Sequence, residues 1–547
     1  MPPVRLDSRS PVAARWLYPM LVVLLAIPAI APLTYPGAFQ TLGGLNAVYN
    51  LMDLTARLGN SLGWAPTFAR GMDVLRGDGP LPYALAASPR LLGLSFLTSI
   101  KLIYALAFIF SGLGMFGLAQ RVFKSAEAGL VAAVLYIYFP YHIAVIYVRG
   151  ALGEAVAWAL FPFALVAFAR LRAHLTPRLI DYLPTVLVFA FLALTTPGLA
   201  LLFAVGTILG FELFARWQGV THPLKDRREW GVGLGLLIGA IPLGLALQFN
   251  RGVDDSYSFV PAFVYPFQFL TASWGAALPR GNYLDPFPFQ LGIAALGLTL
   301  IALALGWRAG QNGNLAIQRL RSITWFSVLL ALALLVLMLP WLAPLWDWTQ
   351  ATRLVEYPFE LLGFVALLLS LAASSIVVSD RRFAQIPLLA TLTLIPILAA
   401  YSYLAPEYID FAPVHPPLAL FNDGEVALLD AQIVRPVGPL RHGASVDLEL
   451  EWQALRQVNH DYTVFVHAVD DSGKTWGGED SKPQGGAMPT LKWPVGRVIS
   501  DTHTIQIDLN GPPEGYHLEV GIYTVNGERA PTETGATEVW ITGNESK

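Results

Sequence analysis

Long apolar runs broken by short basic segments fill the first four hundred residues, and strict alternation marks the end of the chain. Apolar runs recur near 16–34, 98–119, 128–146, 152–169, 180–196, 198–215, 230–248, 289–307, 323–340, 358–378 and 385–403. Runs of about 17 to 25 such residues cross a hydrocarbon core of roughly 30 Å as helices. The pattern predicts about eleven transmembrane helices. The first run follows MPPVRLDSRSPVAAR with no small-residue cleavage site, so it reads as an uncleaved helix rather than a signal peptide.

Charge orients these helices. Arg121 and Lys124; Arg170, Arg172 and Arg178; Arg216, Lys225, Arg227 and Arg228; Arg308, Arg319 and Arg321; and Arg381 and Arg382 fall in alternate connections. With residues 1–15 as a cytoplasmic tail, every short inner connection is basic, as the positive-inside rule requires. An odd number of spans then sets the C-terminus outside. The outer segments are long. Residues 35–90 hold two amphipathic stretches, LNAVYNLMDLTARLG and LPYALAASPRLLG; residues 249–288 are rich in aromatics and proline; and WLAPLWDWTQATRLVEY carries three tryptophans of interfacial type.

The helical pattern ends near Tyr403. Residues 404–417 form a proline-rich linker, and residues 418–547 read as an extracytoplasmic all-β sandwich. In SVDLELEW, Val446, Leu448, Leu450 and Trp452 face one way and the acids between them the other. YTVFVHAV, HTIQIDL and YHLEVGIYTV have strand composition, with turns at Asp471-Ser472-Gly473 and Asn526-Gly527. About seven strands are expected.

Composition narrows the classes. The chain of 547 residues is 55% hydrophobic and 13% charged, far below the roughly 25% charged of soluble domains. A net charge of −3 gives no electrostatic case for a nucleic-acid partner, and the absence of cysteine excludes disulfides and thiolate chemistry. No histidine spacing suggests a metal site, and neither HExxH nor a P-loop occurs.

Against that background VIYVRGALGEAVAW stands out. A single helix over 129–169 would be about 60 Å long, so the run must fold back as a hairpin. Gly150 and Gly153 sit at its turn, with Arg149 and Glu154 beside them. A spacing of five sets these charges about 140° apart on an ideal helix, so no direct pair is required. They read either as an interfacial pair among headgroups or as a site in which Glu154 is the acid. Asp53 has Arg57 at i+4, an ordinary surface pair. Asp73 and Asp78 flank Arg76 in a turn-rich loop. Glu356 and Glu360 share a helix face and would repel unless one is protonated or Arg353 lies between them. His142 reads as structural. In the sandwich, Trp452 reads as core and Trp476, in a polar loop, as the better candidate for a sugar contact.

Four blocks resemble a bacterial membrane family of GT-C type, the one labelled "6-pyruvoyl-tetrahydropterin synthase-related" or YfhO-like. They are PRLLGLSFLTSIKL, GLVAAVLYIYFPYHIAVIYVRGALGEAVAWALFPFALVAFAR, FQFLTASWGAALPRGNYLDPFPFQLG and LPWLAPLWDWTQATRLVEYPFELLGF. The C-terminal segments WQALRQVNHDYTVFVHAVDDSGK and YHLEVGIYTVNGER look like a β module that often ends such proteins. The resemblance implies a GT-C-like domain over 16–403 that transfers sugar from a polyprenyl-phosphate carrier on the outer face during envelope glycan assembly. It implies a large first outer loop holding an acidic catalytic residue; Asp53, Asp73 or Asp78 would stand in for that base, with Glu154, at the hairpin tip, as a site acid. Arg149, Arg353, Glu356 and Trp476 would bind substrate. A divalent cation enters only if the chain is an active enzyme of that type. The chain departs from the family at LGGLNAVYN (Gly43, Gly44, Asn46), at Thr195–Gly198 and at Pro358-Phe359-Glu360, where relatives carry Asp and His, Ser-His and Pro-Trp-Arg. The alternative is a catalytically silent relative that binds a glycan, a lipid or an envelope protein. A transporter fits less well, because the spans carry few charges (Lys101, Glu154, Asp181, Glu212 and Glu360) and no inverted repeat is evident.

Overall fold

The computed structural model describes residues 12–35, 38–39, 41–42, 47–48, 51, 78–94, 96–174, 176–219, 227–248, 262–275, 279, 281–309, 315–406, 408–409, 413–436, 438–456, 458, 460–493 and 496–541. The chain divides into two compact units: Met1–Tyr35 with Leu45–Pro406, and Pro36–Gly44 with Glu407–Lys547.

The first unit is helical. In chain order it holds α1 (Val12–Ile30), α2 (Pro80–Ala87), α3 (Phe96–Phe123), α4 (Ala126–Ile137), α5 (Pro140–Ala144), α6 (Leu152–Ala173), α7 (Leu179–Thr195), α8 (Pro197–Trp217), α9 (Trp230–Gln248), α10 (Ile293–Ala309), α11 (Leu315–Leu337), α12 (Ala343–Thr349), α13 (Leu362–Ser374), α14 (Ile376–Ser379) and α15 (Ile386–Ala400). Each apolar run of the sequence carries a helix. Among the described residues seven helices are long and apolar enough to cross a membrane, or eight if the bent pair Ala126–Ile137 and Pro140–Arg149 is one span; Leu179–Thr195 and Ile293–Arg308 are shorter. Seven or eight full-length crossings among the described residues thus stand against the expected count of about eleven.

The outer faces of these helices are apolar. Trp16, Met20, Leu24 and Ile27 form an exposed stripe on α1, and Leu201, Val205, Leu209 and Leu213 another on α8. In water such stripes would need a partner; in a bilayer the lipid is the partner. This is a multi-pass membrane protein. Its interior packs small against large, as where Gly112 lies under Ile137 and Gly129 under Phe116. α3 packs on α4 and α6, and α13 on α4, α10 and α11.

The hairpin predicted over 129–169 has a corner. α4 ends at Ile137, Pro140 opens α5 at a 47° bend, and Val145–Arg149 closes as a single π-helical turn. Proline suits a first helical turn because its missing N–H is not needed there. Gly150 then takes φ +68°, a left-handed conformation that reverses the chain into α6. Arg149 thus sits on the last turn before the reversal and Glu154 on the first turn after it.

The second unit holds β1 (Ala38–Phe39), β2 (Tyr408–Ile409), β3 (Ala419–Phe421), β4 (Val426–Arg435), β5 (Ser445–Ala454), β6 (Thr463–Asp470), β7 (Thr475–Ser481), β8 (Val498–Gln506), β9 (Tyr516–Tyr523) and β10 (Val539–Ile541). Two four-stranded sheets run β3-β4-β5-β8 and β10-β9-β6-β7. The alternation in SVDLELEW gives the inner face of β5, where Val446, Leu448, Leu450 and Trp452 are fully buried. Trp452 packs between Phe421 and Trp493. Within the expected outer loop 35–90, Ala38 and Phe39 pair antiparallel with Ile409 and Tyr408.

Candidate functional site

The reversal at Gly150 brings opposite charges together. Arg149 Nη1 is ion-paired with Glu154, and Arg149 Nη2 lies 3.5 Å from Glu356 and 3.4 Å from Glu360. Arg149 Nη1 also donates to the Tyr141 hydroxyl at 3.0 Å. The rings of Tyr357 and Phe359 stand 5.2 and 5.6 Å from the guanidinium carbon. The cation therefore has carboxylates on one side and aromatic faces on the other, an arrangement suited to arginine's planar fork.

Burial separates the acids. The side chains of Glu154 and Glu360 are 5% and 8% exposed, whereas Glu356 keeps 28%. Arg149 itself is buried, so the reading of Arg149 and Glu154 as an interfacial pair among headgroups is corrected. The reason is the left-handed Gly150, which breaks the single-helix geometry behind the 140° separation and turns both side chains inward. Arg149, and not Arg353, lies between Glu356 and Glu360. Glu360 also accepts the Tyr357 N–H at 3.2 Å, which fixes its turn.

Behind Glu154 lies an aromatic stack. His142 is fully buried, 4.2 Å and nearly parallel to Trp158, which is one helical turn beyond Glu154 on α6. Its Nδ1 lies 2.9 Å from the Tyr136 carbonyl. Gly363 leaves room above the indole, since a Cβ there would stand 3.2 Å from Trp158 Nε1.

Asp78 joins from the loop before α2. Its Oδ2 accepts the Tyr83 hydroxyl at 2.9 Å, and the Gly153 N–H also donates to it. Burial pushes its pKa up, more than these hydrogen bonds and the charge of Arg149 pull it down. It keeps partial exposure. Gly153 makes the approach possible, because a Cβ there would collide with Asp78 Oδ1 and lie 2.9 Å from the Thr195 carbonyl. The Gly79 N–H donates to that same carbonyl at 2.6 Å, which ties the loop to the end of α7.

No family model and no curated protein matches the chain. Solved structures similar to it include the arabinofuranosyltransferase AftD from Mycobacteria, 14% identical over 72% of this chain and 28% of that one, TM-score 0.41. ArnT from Cupriavidus metallidurans is 14% identical over 70% and 63%, TM-score 0.39. The Archaeoglobus fulgidus oligosaccharyltransferase is 13% identical over 72% and 56%, TM-score 0.43. The chain spans less than two thirds of each of these. With every score below 0.5 these likenesses fix no activity.

The remaining candidates lie elsewhere. Asp53 and Asp73 fall outside the described residues, as do Gly43, Gly44 and Asn46. Arg353 ends the turn Ala351–Arg353, is exposed and carries no ion pair among the described residues, three positions from Glu356. Trp476 belongs to the β unit, where its Nε1 donates to Asp470 at 2.6 Å and Lys474 Nζ covers its ring at 3.7 Å. Tyr141 and Tyr83 joined the site unforeseen, and Glu360 joined it with Arg149 rather than Arg353 as its cation. The one signal for Glu360 was its spacing from Glu356, which asked for a cation that only folding could supply. The described residues hold no cluster of three or more His, Asp or Glu able to grip a metal ion. The acids converge on a guanidinium instead, so they do not fit a divalent cation.

Proposed function

We propose that the helical unit transfers a sugar from a polyprenyl-phosphate carrier to a hydroxyl acceptor on the outer face of the membrane, in envelope glycan assembly. The observation that carries this reading is the convergence of Asp78, Glu154, Glu356 and Glu360 near Arg149 at the chain reversal. Asp78 is the base: it is partly exposed, steadied by Tyr83, and its raised pKa makes it a stronger proton acceptor than an ordinary carboxylate. The acceptor oxygen bonds to the anomeric carbon, the bond from that carbon to the phosphate oxygen breaks, and the lipid phosphate leaves while Asp78 takes the proton. Arg353, exposed and without an ion pair among the described residues, meets the phosphate. Arg149 holds Glu154 and Glu360 in place, and the accessible Glu356 orders sugar hydroxyls. In this reading the basic connections face the cytoplasm and the β unit is extracytoplasmic.

A second reading is favoured by one feature. Three carboxylates already occupy the Arg149 guanidinium, which suits a fixed structural cluster in a protein that binds a glycan or lipid without turnover. Purified full-length protein in lipid nanodiscs, given a radiolabelled polyprenyl-phosphate hexose together with an envelope glycan fraction as the hydroxyl acceptor, separates the two. Transfer readings expect polyprenyl phosphate to accumulate, and Asp78→Asn to slow that by about 10²- to 10⁴-fold. No release from wild type, with the donor still retained, would establish the silent binder; equal release from wild type and D78N would remove Asp78 from the mechanism.

A further inference from the structure

Two arginines at one end of the helical unit belong to neither reading. α3 and α6 run in the same direction. The Tyr104 hydroxyl donates to the Gly150 carbonyl at 2.8 Å near the start of both, and Gly114 lies against Phe163 and Pro162 midway. Two helical turns beyond Gly114 stands Arg121, and two turns beyond Phe163 stands Arg170. Residues two turns apart share a helix face, so the arginines leave the pair at one level and on one side. The charge of Arg170 acts on Arg121. Both residues are exposed, as is Lys124 just past the end of α3.

The acids at this end of the helices are already taken. Glu127 accepts from Tyr18 and Ser125 at 3.1 and 2.7 Å, and Glu212 pairs with Arg172 at 2.8 Å. Among the described residues neither Arg121 nor Arg170 has an ion pair, so two like charges stand side by side. An anion between them relieves that repulsion. The Arg121 guanidinium also does not reach out to water. Its Nη1 lies 3.5 Å from the Gly117 carbonyl, one turn back along α3, where the glycine leaves the space open. Helical side chains tilt that way, and at the end of a membrane helix the tilt brings the cation to the depth of lipid phosphates.

An apolar track leads to this pair. Phe110 on α3 and Phe163 on α6 are 48% and 36% exposed, on the faces that carry Arg121 and Arg170. A guanidinium grips phosphate oxygens with paired N–H donors. A zwitterionic lipid would bring its own ammonium against these cations, whereas a lipid with a glycerol headgroup brings only the phosphate charge. We infer that Arg121 and Arg170 hold the phosphate of an anionic phospholipid of the phosphatidylglycerol class, with an acyl chain along Phe110 and Phe163. The site rests on the membrane placement of the helices and on no step of sugar transfer.

The test compares two lipids with the same chains. Delipidated full-length protein in detergent is titrated with dioleoylphosphatidylglycerol and with dioleoylphosphatidylcholine, and bound lipid is counted by native mass spectrometry. Each cation near a lipid phosphate is worth about a factor of five, so wild type should prefer the anionic lipid by about 30-fold, and Arg121→Gln or Arg170→Gln should each lose about 5-fold of that. Arg381→Gln removes the same charge from another exposed basic connection and should leave both affinities unchanged. Glycerophosphoglycerol, the headgroup without chains, should not displace the lipid at equal concentration. Equal binding of the two lipids by wild type, an equal loss in R381Q, or displacement by the bare headgroup would overturn the inference, and none of these results bears on sugar transfer.

Discussion

Removing the guanidinium from the charge cluster gives the sharpest test of its architecture. In Arg149→Leu the three glutamates lose their common partner. Glu356, with 28% of its side chain exposed, can turn to water; Glu154 and Glu360, at 5% and 8%, cannot. Uncovering buried charges in this way costs about 3–5 kcal/mol, and Tyr141 also loses its 3.0 Å donor. Glu154→Leu should cost less than R149L, because Arg149 keeps Glu356 and Glu360. The double variant removes the most deeply buried acid together with the cation, so it should be less destabilised than the sum of the two by about 1–3 kcal/mol. Equilibrium unfolding of the detergent-solubilised protein, with each variant measured against wild type, reads this coupling. If the two single changes add within about 0.5 kcal/mol, the residues do not act as a unit and the cluster described above is wrong.

Further expectations concern the neighbours of that cluster. Because burial raises the Asp78 pKa, the acidic limb of the transfer rate against pH should lie above the ordinary carboxylate range of about 4, and Tyr83→Phe, which removes a hydrogen bond to the ionised form, should move it higher; an unmoved limb in Y83F would assign it to another group. The same raised value means that Asp78 favours the folded state most at low pH and that this contribution fades as pH climbs through the folded-state pKa, a dependence that D78N should flatten in unfolding midpoints measured across pH. Gly153→Ala drives a methyl into Asp78 Oδ1, so transfer should fall with a stability cost of about 1–3 kcal/mol; full activity would show that Asp78 does not need its position. Arg353→Gln should raise KM for the lipid-phosphate donor while leaving kcat nearly unchanged, and a fall in kcat alone would argue against phosphate contact. In the β unit, hydrogen bonds from Ser472 and Trp476 hold the Asp470 carboxyl below its usual range. Its contribution is present above the unfolded value near 4 and lost as pH falls, so denaturation midpoints of D470N should lack part of the wild-type acid sensitivity.

The helices and the strands were legible because both rest on local repetition. Every long apolar run became a helix, and β5 buried the four residues its alternation named. A bilayer or a sheet acts on each segment in the same way, so a segment can be read by itself. The hairpin at Gly150 was legible too, since no membrane is thick enough for the alternative. The site followed a different logic. Arg149 meets Glu356 and Glu360 from more than two hundred positions away, whereas Arg353, the nearer arginine, makes no ion pair with them. The Pro140 bend, the π-turn after it and one left-handed glycine decide which way the guanidinium points. Asp78 reached the site only because Gly153 lacks a Cβ and the Thr195 carbonyl accepts the Gly79 N–H. Hydropathy is a property that each residue carries alone, and the sequence spells it out. A charge acquires its partner only through the packing of distant segments, and that the tertiary structure alone decided.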